Sequence, residues 1–277
     1  VLAPLVREAE TVAQARVGLV VMDPAPLDAS TSDALFAWRA DEPFYPASTI
    51  KVPIMVEAFA QALEGRLALD ARTRVRQNDL VTGSGVLQYL VDAHRQSWLD
   101  LVTLMIIVSD NTATNVLIDR LGREAINERM RSLGLSCTIV RNKLQVIPAA
   151  ADGANQTSAA DLARLLSLIA GGRVVSWDAC RRMLAILEAQ QLDAGLAAQL
   201  PPPLLADDGL TATPRWRWAH KTGSVSGILH DAGLLLLPER TLAVACLTEG
   251  FAHPWQARAW RGSVGLAIYR WAGGAAA

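Results

Sequence analysis

Ser48 and Lys51 stand three residues apart in the segment Ser48-Thr49-Ile50-Lys51, at the head of a long apolar-periodic run. On a helix that spacing puts both side chains on one face, so the lysine amine can reach the serine hydroxyl within a turn. A free serine hydroxyl is a poor nucleophile and needs a neighbouring base. A lysine held among cations and apolar walls can lose its proton near neutral pH and serve as that base. A serine at a helix start also lies beside backbone N–H groups that can stabilise an oxyanion. The chemistry this pair could do is acyl transfer through a covalent serine intermediate. Taken alone, the same four residues also describe a capping serine followed by a surface lysine.

Two further segments follow in order. Ser109-Asp110-Asn111 falls at a junction where one helical pattern ends and the next begins at Thr112. There Ser109 could pass a proton to a leaving amine and Asn111 could bind a substrate amide, while Asp110 would brace the loop. Asp and Asn are also ordinary caps and turn formers at such a place. Lys221-Thr222-Gly223 closes a strand pattern in which Trp216, Trp218 and His220 alternate with Arg217, Ala219 and Lys221. Thr222-Gly223-Ser224 would extend a sheet edge, where a substrate backbone can add as another strand. The chain has only three lysines, Lys51, Lys143 and Lys221, and two of them lie inside these segments. A sequence that otherwise carries its positive charge on arginine keeps a compact, titratable ammonium at these two places.

The elements that must position these residues follow from periodicity. Helices are expected over Pro4 to Gln14, Ser48 to Leu63, Leu99 to Val108, Ala113 to Leu121 and Arg123 to Leu133. More are expected over Ser158 to Ala170, Asp178 to Gln190 and Trp255 to Trp271, with Ser158 and Asp161 resembling a capping box. Strands are expected over Arg16 to Met22, Ala34 to Arg39, Arg215 to Lys221, Leu229 to Leu237 and Leu242 to Thr248. The first two would form a hairpin across a loop holding Pro26, Asp28, Ser30 and Asp33. Strands at both ends with helices between imply an α+β fold. A sheet lobe would cover about 1–50 and 205–277, and an all-helical lobe about 51–204. A ligand site is expected in the cleft between them.

Composition bounds the rest. The chain of 277 residues, 51% hydrophobic and 19% charged, reads as compact and globular. A formal net charge of −1 offers no attraction for nucleic acid or an anionic membrane, and no apolar run reaches the ~20 residues of a membrane span. Cys137, Cys180 and Cys246 form no metal-ligand pattern and read as buried free thiols; neither metal nor organic cofactor is implied. The opening residues, from Val1, show no signal-peptide pattern and read as a trimmed start.

With all three segments in order, the chain resembles the class A β-lactamase family of penicillin-recognising serine enzymes. The likeness extends to Phe44-Tyr45-Pro46-Ala47 before the serine, Thr82-Gly83-Ser84-Gly85 before the helical run to Ser109, and Ala113 to Leu117 after Asn111. It implies a two-lobed serine β-lactamase/DD-peptidase-like fold, with Ser48 the acylated residue, Lys51 its proton acceptor and Ser109 the relay. Lys221 with Thr222 or Ser224 would hold a substrate carboxylate, and the N–H groups of Ser48 and Ser224 would form the oxyanion hole. Asn111 would contact the substrate amide. The partner would be a small β-lactam or a peptidoglycan-like peptide, met by a monomer in the periplasm or outside the cell.

The sequence departs from the family in two places. The family's glutamate in an E-x-x-L-N loop frees the acyl-enzyme; aligning Leu144-Gln145 on Leu-Asn puts Arg141 at that glutamate's place, with Asp152 the only acid between it and the next helix's own cap. Where many members carry an arginine on the strand after K-T-G, this chain has His230, which could contact a carboxylate or pack beside Asp231. Acylation should therefore be retained and deacylation slow. A D-alanyl-D-alanine peptidase, an esterase, and a receptor acylated without turnover use the same residues.

Overall fold

The computed structural model describes residues 1–24, 34–90, 95–145, 153–192, 194–203 and 214–274. The loop residues Pro26, Asp28, Ser30 and Asp33, and Asp152, lie outside the described residues.

A five-stranded antiparallel sheet has the order β2-β1-β7-β6-β5, built from β1 (Arg16–Met22), β2 (Phe36–Trp38), β5 (Arg217–Val225), β6 (Ile228–Leu236) and β7 (Thr241–Glu249). A two-stranded ribbon pairs β3 (Arg72–Arg74) with β4 (Arg95–Ser97). The helices are α1 (Leu2–Thr11), α2 (Lys51–Leu63), α3 (Trp98–Ile107), α4 (Asn111–Leu121), α5 (Arg123–Ser132), α6 (Ala159–Ala170), α7 (Trp177–Glu188) and α8 (Pro254–Trp271). The α+β expectation holds.

The sheet is covered on both faces, which is why its strands read as nearly continuous apolar runs. Val17, Leu19 and Val21 of β1 join the core under α1 and α8, while Val20 and Met22 join the core on the helical side. The second of these cores is organised by α2. Its residues from Lys51 to Gln61 are all buried, so it is a central helix rather than an amphipathic surface one. Burial of Val52, Ile54, Met55, Val56 and Phe59 contributes about 1.5–3 kcal/mol each. Glu57 is buried with them because Arg129 and Arg66 neutralise it and Gln61 donates to it.

Most expected elements appear within a few residues. Two differences matter for the site. Ser48 does not start the α-helix; it sits in a 3-10 turn, Ala47–Ile50, that leads into α2. The strand through Lys221 does not end there but runs to Val225, zipped to β6 with Thr222 opposite Asp231 and Ser224 opposite Leu229. α6, which the sequence placed among the helical lobe, packs across β1, β6 and β7. Ser158 caps it by accepting from the Asp161 N–H at 3.1 Å, but the Asp161 carboxylate accepts from Thr138 Oγ1 at 2.8 Å instead of completing a box. Cys180 and Cys246 are buried free thiols, whereas Cys137 is only half-buried.

Candidate active site

The nucleophile turn is set by its backbone. The Pro46 carbonyl accepts from both Thr49 N at 3.1 Å and Thr49 Oγ1 at 2.7 Å, which closes the turn. Ala47 is held at φ +45°, a left-handed conformation that a non-glycine residue adopts only where its surroundings impose it. Ser48 is thereby half-exposed while Lys51, one turn on, is fully buried. Strand β5 presses directly on this turn. A Cβ at Gly223 would stand 3.0 Å from Pro46 O and 3.2 Å from Ser48 N, so the edge strand comes this close only because residue 223 is glycine.

Lys51 Nζ lies 2.8 Å from both Ser109 O and Ser109 Oγ, and 2.9 Å from Asn111 Oδ1. The structure thus joins the first two segments through one amine. Burial pushes its pKa well below the ordinary lysine value; the charge of Lys221 pushes the same way, and Asp110 opposes them. An amine so placed gives up its proton far more readily than a surface lysine, and its bond to Ser109 Oγ offers that proton a path.

The Ser109 segment is held by Asp110. Its Oδ2 accepts from Val86 N at 2.7 Å and Leu87 N at 2.9 Å, and its Oδ1 caps α4 through Ala113 N at 2.9 Å. Asn111 is fixed from the same loop: its N–H donates to Ser84 O at 3.0 Å and its Nδ2 to Thr82 O at 3.1 Å. Gly85, at φ +114°, lies so close that a Cβ there would be 2.4 Å from the Asp110 carboxyl. The Thr82-Gly83-Ser84-Gly85 stretch is therefore the clamp on Asp110 and Asn111.

Lys221 is fully buried, and its Nζ donates to Thr222 O at 2.8 Å. Burial lowers its pKa to about 7, with Asp231 acting against the shift. Thr222 is almost enclosed and Ser224 is exposed at the strand edge. His230 does not belong with them. It is fully buried; its Nδ1 accepts from Thr248 N at 3.0 Å, and its Nε2 lies 2.8 Å from Tyr45 O. Both nitrogens are spent on backbone, which fixes the neutral tautomer with the proton on Nε2. Burial brings its pKa down to about 4. The expected carboxylate contact is replaced by a structural tie to the strap before Ser48. Nor does His230 pair with Asp231, whose Oδ1 is 2.7 Å from His220 Nδ1 and whose Oδ2 accepts from Leu196 N at 2.7 Å.

Arg141 also falls away from the site. Its N–H donates to Asn155 Oδ1 at 2.8 Å and its Nη1 to Ala154 O at 2.6 Å. The chain approaches the site instead at Leu144, clamped by Asn115 through Leu144 N to Oδ1 at 2.7 Å and Nδ2 to Leu144 O at 2.9 Å. Asn115 stands one turn after Asn111 on α4. Gln145, next in line, brings its Nε2 to 3.1 Å from where a Cβ at Gly83 would lie, beside Asn111 Nδ2 at 2.7 Å. Sequence reasoning missed Asn115, and the signal was present: two asparagines four apart on a helix share a face.

A model of the β-lactamase enzyme family matches residues 3–272. A β-lactamase from Rhodobacter capsulatus is 36% identical over 141 residues, which cover 47% of this chain and 45% of that protein, so the match spans less than half of the relative's length. The crystal structure of a β-lactamase from Sphaerobacter thermophilus is similar with a TM-score of 0.87 and 32% identity, over 100% of this chain and 98% of that one. PBP-A, as a leucine-to-glutamate mutant in an acyl-enzyme complex with penicillin G, is similar at TM-score 0.80 and 29% identity, over 98% and 97%. An ancestral class A β-lactamase is similar at TM-score 0.79 and 26% identity, over 97% of each chain.

Proposed function

The chain belongs to the β-lactamase enzyme family, and on that footing we propose that it is a serine hydrolase acylated at Ser48 by β-lactams and slow to release the acyl group. The observation that carries this reading is the buried Lys51 amine bonded at once to Ser109 and Asn111. In the proposed reaction Ser48 Oγ attacks the lactam carbonyl and Lys51 takes its proton. The proton passes through Ser109 to the departing ring nitrogen as the C–N bond breaks. The N–H groups of Ser48 and Ser224 receive the oxyanion. Lys221, Thr222 and Ser224 steady the substrate's far end, and Asn111 its side-chain amide.

Release of the acyl group needs a base beside a water molecule, a contribution of about 10²–10⁴-fold in rate. The residue that the Asn115 clamp fixes, one turn from Asn111 on α4, is Leu144, whose side chain has no proton to exchange. The likeness to PBP-A, whose leucine-to-glutamate mutant forms an acyl-enzyme with penicillin G, supports the acylation half of this reading. The test is a chromogenic cephalosporin followed by colour and intact mass, with Ser48→Ala as control. One equivalent of colour with a lasting mass increase is expected, and Leu144→Glu should shorten the life of the adduct. Sustained rapid turnover by the unaltered protein would refute slow release. Release of D-alanine from a short D-alanyl-D-alanine peptide tests the peptidase reading, which the open edge of β5 favours. Action as a monomer outside the cytoplasm belongs to the same proposal, checked by solution mass and cell fractionation.

A further inference from the structure

The two faces of β5 carry different chemistry. Lys221 and Gly223 turn toward Lys51 and the nucleophile turn. Trp216, Trp218 and His220 alternate onto the opposite face, toward the 3-10 turn Gly195–Gln199. On that side a recess of about 400 Å³ is lined by Glu188, Ala197, Trp216, Arg217, Trp218 and His220. Its size lies within the roughly 300–1,000 Å³ of small-molecule pockets. The inner end is built around one carboxylate. Asp231 is fully buried; its Oδ2 accepts from Leu196 N at 2.7 Å and its Oδ1 lies 2.7 Å from His220 Nδ1. A Cβ at Gly195, held at φ +60°, would overlap the Asp231 carboxylate, so the turn reaches it only because residue 195 is glycine. A carboxylate only accepts, so His220 keeps its hydrogen on Nδ1 and presents the Nε2 lone pair. His220 is 4% exposed and lines the recess, and no group among the described residues takes its Nε2. Nothing in the proposed acylation touches it.

The remaining wall is aromatic and electrically balanced. Trp216 is fixed by its Nε1, which donates to Pro201 O at 2.8 Å, and the Trp218 ring lies 5.4 Å from that of His220, centroid to centroid. The exposed Arg217 Nη1 is 2.7 Å from Glu188 Oε1, so these two charges answer each other. From this geometry we propose that the recess is a second ligand site, separate from the acylation groove, for an uncharged flat aromatic molecule bearing a ring N–H or a phenolic O–H. The ring lies against the indoles of Trp216 and Trp218, and its hydrogen is donated to His220 Nε2. A charged ligand gains little there, because the charges of the wall are already paired and its desolvation goes uncompensated. An aromatic of the same shape without the hydrogen leaves the buried lone pair unmet and binds less tightly.

The test titrates indole and benzofuran into the intact protein by calorimetry. The two probes share a shape, and benzofuran has a ring oxygen where indole has its N–H. Indole is expected to bind once per chain with a Kd of about 1 mM or below. Benzofuran is expected to bind about 10-fold more weakly, the size of one hydrogen bond to a buried acceptor. Both are read on the unaltered chain, so the comparison does not depend on a variant that folds. Trp216 is half-buried, and Trp216→Ala should weaken indole by about 3- to 10-fold through the lost ring contact. An absence of saturable indole binding overturns the proposal. Equal affinity for the two probes removes His220 from recognition and overturns it too. An indole affinity indifferent to Trp216→Ala places the probe elsewhere, with the same consequence.

Discussion

Protonating His230 should loosen the strap that leads into the nucleophile turn, and the size of the effect follows from its surroundings. In the folded chain Nδ1 already accepts the Thr248 N–H, so an added proton there faces a donor instead of an acceptor. Burial opposes the charge first, Arg261 adds to it, and the Tyr45 carbonyl resists only in part. A pKa lowered from 6.5 to about 4 corresponds to about 3 kcal/mol between the two protonation states. Because the unfolded chain takes up this proton first, the stability is fully present above pH 6.5 and is lost as pH falls toward 4. The assay is denaturant unfolding at steps between pH 7 and 4 for the native chain and His230→Gln. The native chain should lose about 3 kcal/mol more than the variant across that window. Proton NMR of the imidazole should show no titration near 6.5. Parallel pH curves for the two proteins, or a midpoint near 6.5, would refute the reasoning.

Lys51, with its pKa well below the usual lysine value, should support acylation at neutral pH, the rate falling as acid protonates it. An acylation profile that climbs only toward pH 10 would contradict this, and Lys51→Arg should slow the step by about 10²-fold or more. Gly85→Ala would thrust a Cβ to 2.4 Å from Asp110 at φ +114°; a loss of about 2 kcal/mol or more in unfolding free energy is expected, with slower acylation. Asn115→Ala removes both bonds to Leu144 and should cost about 1–3 kcal/mol, with faster amide hydrogen exchange at Leu144 as the local readout.

The sequence by itself determined the type and order of the eight helices and of the five strands of the main sheet, because apolar periodicity survives without knowledge of neighbours; the short polar ribbon of β3 and β4 carries no such pattern and was not legible. β1 runs over Arg16–Met22 as its apolar, valine-rich run implied, and the helix through Ala159–Ala170 begins at its serine cap. It also singled out Ser48, Lys51 and Ser109, since their spacing and the scarcity of lysine are local facts. What it could not decide was which side chains face the groove. His230 and Arg141 sit at positions where linear counting suggested chemistry, yet a strand residue's role depends on what covers its face. Here the Tyr45 strap covers His230 and the Asn155 turn takes Arg141. The depressed basicity of Lys51 likewise arises only when α2, the Ser109 loop and β5 close around it, because burial and the approach of Lys221 are properties of the folded assembly. Asn115 and Leu144, 29 residues apart, meet only across that packing. Sequence names the reactive groups; tertiary contact sets their charge state, their access and their partners.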